Sequence, residues 1–182
     1  TAALLRSFYE QLEQASKGKL STADITPDRL FWEVINKIFT ILVTCENSLT
    51  FKDSLTAHLV ARYTYEMFVI VVYVFLDKSK TKERAEQFLK FNQFTNTGRA
   101  WSDRTFAQML KDLPDNSRFA FHKDHYRNLS NFAHPTMNSF LLNRMGAKVE
   151  FSMTINTVLL TLVTILEIVK ICFAESTFFS NE

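Results

Sequence analysis

Apolar residues recur at spacings of three and four in the stretch that follows Pro27. Leu30, Val34 and Ile38 lie on one side of an α-helix under this spacing, with further apolar side chains between them. A threonine precedes Pro27, and an aspartate follows it, which is typical of the first turn of a helix. The pattern predicts an amphipathic helix that begins near Pro27 and ends near Cys45.

The same pattern predicts further helices along most of the chain. The remaining segments are polar or contain glycine or proline, and Pro135 to Glu150 is predicted to be a loop. We expect an all-α protein, an up-and-down bundle of four or five main helices plus a short helix, forming one domain over residues 1–182. Residues 1–26 would add an N-terminal extension helix and a linker. The other predicted helices are Ala2 to Ser16, Asp53 to Leu76, Lys82 to Phe94, Ser102 to Leu113, Ser117 to Ala133 and Ser152 to Ala174.

Two stretches are apolar enough to be compared with membrane spans. Met67 to Leu76 is an unbroken apolar run, and Val158 to Phe173 is interrupted only by two threonines, Glu167 and Lys170. Both stretches are shorter than the roughly 18 residues of a span, so we predict buried core and no membrane contact. The β-branched residues of the first run would also suit a buried strand. We predict a helix there, because no turn residue separates the run from the helical pattern before it.

Composition and charge narrow the class of protein. The chain of 182 residues is 47% hydrophobic with 3 Gly and 3 Pro, which favours long packed helices over the many turns of a β-sandwich. A net charge of +2 predicts that any RNA contact is a local patch. Cys45 and Cys172 lie in apolar contexts and are predicted to be buried, reduced thiols. Because Leu4 to Glu10 is amphipathic and charged, we expect a cytoplasmic location.

The candidate chemistry lies in one predicted helix, in the sequence Tyr-Arg-Asn-Leu-Ser-Asn-Phe-Ala-His-Pro that begins at Tyr126. Residues seven apart return to within about 20° on a helix, so Arg127 and His134 share a face. Lys123 and Asn131 fall on that same stripe, beside a narrow apolar stripe that should face the core. The apolar stripe contains Phe119, His122, Tyr126, Leu129 and Ala133.

This combination suits cleavage of an RNA backbone without a metal. His134 would act as a general base on the ribose 2′-hydroxyl or as a general acid for the leaving 5′-oxygen. Arg127 would stabilise the charge that develops on the phosphate oxygens. Asn128 and Asn131 would orient the phosphate or the histidine. Pro135 disfavours helical geometry at His134, so the imidazole is expected at a helix C-terminus, where the macrodipole favours its charged form.

The segment resembles the Arg, polar residue, then His signature of the HEPN superfamily, here Arg127, Asn128 and His134. The resemblance implies a small helical bundle, and many of its members are metal-independent ribonucleases of toxin–antitoxin and phage-defence systems. It implies no cofactor, an RNA substrate, a homodimer with a composite site, and an antitoxin or a larger defence complex as a partner. It also implies a polar residue on an earlier helix facing the motif, for which Glu66 and Arg62 are the candidates. Further residues expected to bind or orient substrate are Asn131, Lys123, Ser130 and Tyr126.

Other functions remain open at this stage. Leu129, Ser130 and the His134-Pro135 pair are similar to those of uncharacterised bacterial HEPN-like proteins, so a catalytically silent module that binds RNA, a nucleotide or a protein is the main alternative. A purely structural bundle would make the alignment of Arg127 and His134 accidental.

Several of these residues also have structural interpretations. Arg127 would then pair with Asp124, Glu66 would pair with Arg62, and His134 would be a helix C-cap. We expect no metal site, because the remaining histidines, His58, His122 and His125, do not have the spacing of metal ligands. The basic cluster of Lys78, Lys80, Lys82 and Arg84 is expected to be a solvated turn.

Overall fold

The computed structural model describes residues 27–91, 105–113, 126–130 and 147–175, together with Ser7, Glu10 and Gln14. Every regular element in these ranges is helical, which agrees with the predicted all-α class. Residues 126–130, here called the motif segment, are also helical. The helices are α1 (Pro27–Phe51), α2 (Ser54–Leu76), α3 (Thr81–Phe91), α4 (Phe106–Asp112) and α5 (Ala147–Glu175).

A tight corner joins α1 to α2. Lys52 takes a left-handed conformation with φ of 56°, which reverses the chain direction, and the Asp53 amide donates to the Ser48 carbonyl at 2.9 Å. Asp53 then caps α2, because its carboxylate accepts from the Thr56 amide at 3.0 Å. The predicted start of α2 is therefore confirmed within one residue. The predicted end of α1 near Cys45 is wrong, since the helix continues to Phe51 and the partly buried Leu49 packs on the core.

Helix α2 forms the centre of the core. The apolar run that also suited a strand is helical, and Phe68, Val69 and Val74 within it are completely buried. Helices α1 and α5 both pack against α2, and α5 does so most extensively. A continuous apolar stretch is helical here because helices cover α2 on more than one side, so no polar face is required.

Helix α5 begins earlier than predicted. Ala147 to Glu150 is helical rather than part of a loop, with an acid, Glu150, in the first turn, where the helix dipole favours it. The Thr154 hydroxyl donates to the Glu150 carbonyl at 2.8 Å. Residues 135–146 of the predicted loop lie outside the described ranges. The early start adds more than one turn to the surface that α5 presents.

Helices α2 and α5 run in the same direction. The Lys52 ammonium lies 5.5 Å from the centroid of the Phe151 ring, and one to two turns further along His58 Nε2 lies 3.3 Å from Thr157 Oγ1. Both contacts join residues 99 positions apart, and a constant offset means parallel helices. The chain between them must therefore return from the C-terminal end of α2 to the N-terminal end of α5.

Two helices are long and apolar enough to cross a membrane when judged by length and composition alone, Ser54–Phe75 and Lys148–Cys172. This corrects the expectation that both stretches are too short, because isolated polar residues do not interrupt a span of this length. It is weak evidence for a membrane, since a core helix of a soluble protein passes the same test. Most of the α2 window is buried inside the protein, as for a core helix.

The short helix α4 starts later than the predicted Ser102. Thr105 has extended backbone geometry and forms a capping box with Gln108, each side chain accepting from the other residue's amide. Residues 102–104 are not among those described. Helix α3 begins at Thr81, one residue before the prediction, and its described part ends at Phe91. The predicted helix Ala2 to Ser16 lies outside the described ranges except for Ser7, Glu10 and Gln14, which are helical.

Arg84 departs from the solvated turn predicted for its basic cluster. Its Nη1 donates to the Tyr73 carbonyl at 2.7 Å, and its guanidinium carbon lies 4.1 Å from the Tyr73 ring centroid. That carbonyl is one of the last four of α2. These carbonyls receive no hydrogen bond from an amide of the same helix. Arg84 therefore caps α2 from α3, whereas Lys78, Lys80 and Lys82 are exposed.

Arg84→Ala is expected to lower the free energy of unfolding by about 1–2 kcal/mol, because it removes a charged hydrogen bond and a cation–π contact at a half-buried position. Urea unfolding followed by circular dichroism measures this. Lys82→Ala, an exposed change on the same helix, should alter stability by no more than about 0.5 kcal/mol. Equal effects of the two substitutions would contradict the capping role.

Candidate functional site

The motif segment presents two polar side chains to solvent and two hydrophobic ones, Tyr126 and Leu129, to the core. Arg127 and Asn128 are exposed, Leu129 is buried and Tyr126 is half-buried. This is the arrangement that the helical angles predict for these four residues. His134, Asn131 and Lys123 lie outside the described part of the chain, so their approach to Arg127 stays a prediction.

Tyr126 attaches the motif segment to the bundle. Its ring stacks on Tyr65 of α2, with 5.3 Å between ring centroids and 27° between planes. Phe106 of α4 packs on the same ring at 5.2 Å. These contacts place Tyr126 where three elements meet. Arg127 and Asn128 follow directly, so their backbone positions are fixed by a packed aromatic group.

The Tyr126 hydroxyl reaches the polar pair that was predicted to face the motif. It donates to Glu66 Oε1 at 3.4 Å, and the same oxygen accepts from Arg62 Nε at 3.0 Å. The Arg62 guanidinium carbon also lies 5.9 Å from the Tyr126 ring centroid. Arg62 and Glu66 thus form the ion pair that was their structural interpretation. Glu66 also faces the motif segment. Glu66 therefore makes both contacts, one with Arg62 and one with Tyr126.

The Arg62–Glu66 ion pair contributes little to the free energy of unfolding, but it fixes the position of the Glu66 carboxylate. The side chains are 22% and 35% exposed, and an ion pair one helical turn apart at that exposure contributes little free energy. Burial raises the pKa of Tyr65 beneath it, and nearby Tyr126 raises it further, so the phenol stays neutral. Because Arg62 and Tyr126 both donate to Glu66 Oε1, the ion pair holds this oxygen in position for the Tyr126 hydroxyl.

Ser130 has a different environment from the exposed Arg127 and Asn128 of the same segment. Its hydroxyl oxygen is buried and makes no hydrogen bond to any of the described residues. A buried hydroxyl without a partner is unfavourable by roughly 1–3 kcal/mol. This does not assign it a role in binding substrate, which remains the prediction made from the sequence.

Taken together, the structure joins Arg62, Glu66 and Tyr126 directly and leaves Arg127 and Asn128 exposed beside them. An exposed guanidinium on an anchored helical segment can bind a phosphate through parallel N–H donors. The residues that support Tyr126, namely Tyr65 and Phe106, were not identified as part of the site from the sequence. Nothing in the helical periodicity distinguishes them from other core aromatics.

The remaining reactive groups of the described ranges are structural. Cys45 and Cys172 are buried and free, and burial raises the pKa of Cys45 to about 11 and that of Cys172 to about 12. Such thiols are protonated at neutral pH and poor nucleophiles. Within the described residues, no group of three or more His, Cys, Asp or Glu could hold a metal ion.

His58 is a buried histidine between α2 and α5. Its Nδ1 donates to the Ser54 carbonyl at 2.7 Å, so in the neutral ring Nε2 accepts from Thr157 Oγ1 at 3.3 Å. Burial lowers the pKa of His58, and the hydrogen bond to Ser54 partly opposes that shift. The neutral imidazole is therefore the form that the folded protein stabilises.

His58 should make the protein less stable as the pH falls. Because its pKa is lower in the folded chain, the unfolded chain binds the proton first, and the free energy of unfolding decreases below about pH 6.5. The slope from this one group cannot exceed about 1.4 kcal/mol per pH unit. Urea unfolding at pH 7.5, 6.5 and 5.5 would measure it. The His58→Gln variant should show a shallower slope, and parallel slopes would refute this assignment.

No family model matches the chain, and neither a curated protein nor a solved structure matches it significantly. The class that the described residues define is an all-α protein with a core of three long helices and a half-buried aromatic–carboxylate cluster beside an exposed arginine.

Proposed function

We propose that this protein is a metal-independent endoribonuclease of the HEPN type. The observation that carries the proposal is the exposed Arg127 on a helical segment that Tyr126 anchors to the Arg62–Glu66 pair of α2. A guanidinium held in this way is pre-positioned for a phosphate, which lowers the cost of organising it during the reaction.

In the proposed reaction, the 2′-oxygen of a ribose attacks the adjacent phosphorus and the 5′-oxygen of the next nucleotide leaves. The bond broken is P–O5′ and the bond formed is P–O2′, which leaves a 2′,3′-cyclic phosphate. His134 removes the 2′ proton or supplies a proton to the leaving oxygen, and Arg127 balances the charge on the non-bridging oxygens. Asn128 orients the phosphate. No metal or cofactor takes part.

The proposed setting follows from the same resemblance. One copy supplies a single arginine and a single histidine, so we propose a composite site completed by a second copy. A cytoplasmic protein acting in toxin–antitoxin or phage defence fits this chemistry, with an antitoxin or a larger complex as the regulating partner. Membrane spanning by both α2 and α5 is disfavoured, because parallel spans need a further crossing and residues 77–146 contain no apolar run of the required length.

RNA cleavage in the presence of EDTA tests the proposal. Wild type, Arg127→Ala and His134→Ala are compared on a single-stranded RNA, with toxicity on expression as a second readout. Cleavage by the wild type that both substitutions abolish supports the nuclease. Absence of cleavage by all three, or equal cleavage by all three, overturns it. RNA binding by the wild type without cleavage would favour the catalytically silent module instead.

A further inference from the structure

An exposed apolar strip runs along the outer side of α2. Leu55, Leu59 and Tyr63 lie four residues apart, and they are 41%, 45% and 46% exposed. Positions four apart on a helix lie on the same face about one turn apart, so the three side chains are neighbours on the surface. On the opposite side of the same turns, Ala57 and Ala61 are buried in the core. The strip is therefore a side of α2 that the bundle leaves uncovered.

Tyr63 is the end of this strip that lies closest to the motif segment. Glu66 lies one turn from Tyr63 along α2, and its Oε1 accepts from the Tyr126 hydroxyl at 3.4 Å. At 100° per residue, the order of side chains around α2 is Tyr65, Arg62, Glu66 and Tyr63. Because Tyr126 stacks on Tyr65, the Arg62–Glu66 ion pair lies between the Tyr126 ring and Tyr63.

The ring of Tyr63 differs from those of the other tyrosines in the described ranges. Tyr65 and Tyr126 stack on each other, and the Arg84 guanidinium lies over the buried Tyr73. Tyr63 is 46% exposed, so part of its ring remains open to solvent. An open aromatic ring beside a nucleic-acid site can stack on a base, which is a common way of holding a single strand.

The charges beside Tyr63 favour a base over a phosphate at this position. Arg62 Nε donates to Glu66 Oε1 at 3.0 Å, so the two charges offset each other next to the strip. The partly exposed Glu66 carboxylate would repel a phosphate placed there. Arg127, in contrast, is exposed on the motif segment and suits a phosphate. An uncharged, planar base therefore fits the apolar strip, and the phosphate fits the motif segment.

We infer that Tyr63 stacks on a base of the RNA substrate while Arg127 holds a phosphate of the same strand. This inference rests on the proposed nuclease function and adds to it a base-binding position on α2. Side chains one turn apart have Cβ atoms about 5–6 Å apart, and Glu66 contacts the residue that precedes Arg127, so one strand can contact both groups. Because every base has an aromatic face, this position should accept any base.

Fluorescence anisotropy with a short single-stranded RNA tests the inference. Its 2′-hydroxyls are methylated, so attack by the 2′-oxygen cannot cleave it and binding is measured alone. Tyr63→Ala should raise the dissociation constant about tenfold, as expected for the loss of one stacked base. Tyr63→Phe keeps the aromatic face and should bind within about twofold of the wild type. Both variants should fold, because the position is exposed.

A strand of the same length without bases separates stacking from other effects. The wild type and Tyr63→Ala should bind this abasic strand within about twofold of each other, because the group that Tyr63 contacts is absent. Phe51→Ala is the matched control, since it removes another exposed aromatic ring. Phe51 is 78% exposed at the end of α1, and its replacement should leave the dissociation constant for RNA within about twofold.

Four results would overturn the inference: no RNA binding by the wild type, an unchanged dissociation constant for Tyr63→Ala, an equal loss for Phe51→Ala, or an equal loss for Tyr63→Ala on the abasic strand. Failure of the nuclease proposal looks different. RNA binding that Tyr63→Ala weakens, without cleavage of unmodified RNA in EDTA, refutes the nuclease and supports the base-binding position. Cleavage by the wild type with binding unaffected by Tyr63→Ala supports the nuclease and refutes the base-binding position.

Discussion

Arg127→Ala is expected to lower the rate of RNA cleavage in EDTA by about a hundredfold or more. Removing one group that stabilises charge in a transition state typically reduces turnover by about 10²–10³. Arg127 is exposed and Leu129 supplies the buried side of the same segment, so the substitution should leave the fold intact. The loss should therefore appear in turnover with an unchanged free energy of unfolding.

Arg127→Lys distinguishes charge from geometry. A lysine retains the positive charge but cannot donate two parallel hydrogen bonds to a phosphate, so we expect intermediate cleavage. Lys111→Ala on α4 removes an exposed charge of the same sign and should leave the rate unchanged. If Lys111→Ala reduces cleavage as strongly as Arg127→Ala, general electrostatic attraction of RNA explains the effect better than a site at Arg127.

Tyr126→Ala is expected to lower the free energy of unfolding by about 2–3 kcal/mol. The substitution removes the ring contacts with Tyr65 and Phe106 and the hydrogen bond to Glu66. A fully buried aromatic residue would lose about 3–5 kcal/mol, and the half-buried position reduces this figure. Urea denaturation monitored by circular dichroism gives the value.

Tyr126→Phe separates the ring from the hydroxyl. It keeps the aromatic contacts and removes only a long hydrogen bond of 3.4 Å, so stability should fall by about 1 kcal/mol or less. Tyr63→Ala, at an exposed tyrosine of α2, should have a small effect of about 0.5 kcal/mol. If Tyr63→Ala and Tyr126→Ala destabilise the protein equally, Tyr126 is not the anchor of the motif segment.

The sequence predicted those features of the fold that depend only on residues a few positions apart along the chain. The aspartate before α2 caps the helix because its carboxylate reaches an amide three residues later, a distance that depends only on the chain around Asp53. The burial of Leu129 and the exposure of Arg127 follow equally from helical periodicity within a few residues.

The errors have a common cause in contacts between distant parts of the chain. α1 continues past Cys45 because Leu49 packs on the core, and neither the corner at Lys52 nor that packing has a sequence signature. Arg84 was grouped with neighbouring lysines by charge, although its partner is a carbonyl eleven residues earlier on another helix. Sequence patterns describe a residue's neighbours along the chain and contain little information on such partners.

By itself, the sequence determined the all-α class, the helical conformation of residues 126–130 and the side of that segment which faces the core, because backbone geometry fixes these over short distances. The rest of the helix predicted over Ser117 to Ala133 lies outside the described residues. Only the tertiary structure decided that Tyr126 lies against Glu66, that α2 and α5 are parallel, and that Leu159 and Leu166 of α5 point outward while its four threonines are buried. The physical reason is that α5 is apolar on nearly all sides, so its periodicity could not select the buried face. That selection depends on which side α2 and α1 cover.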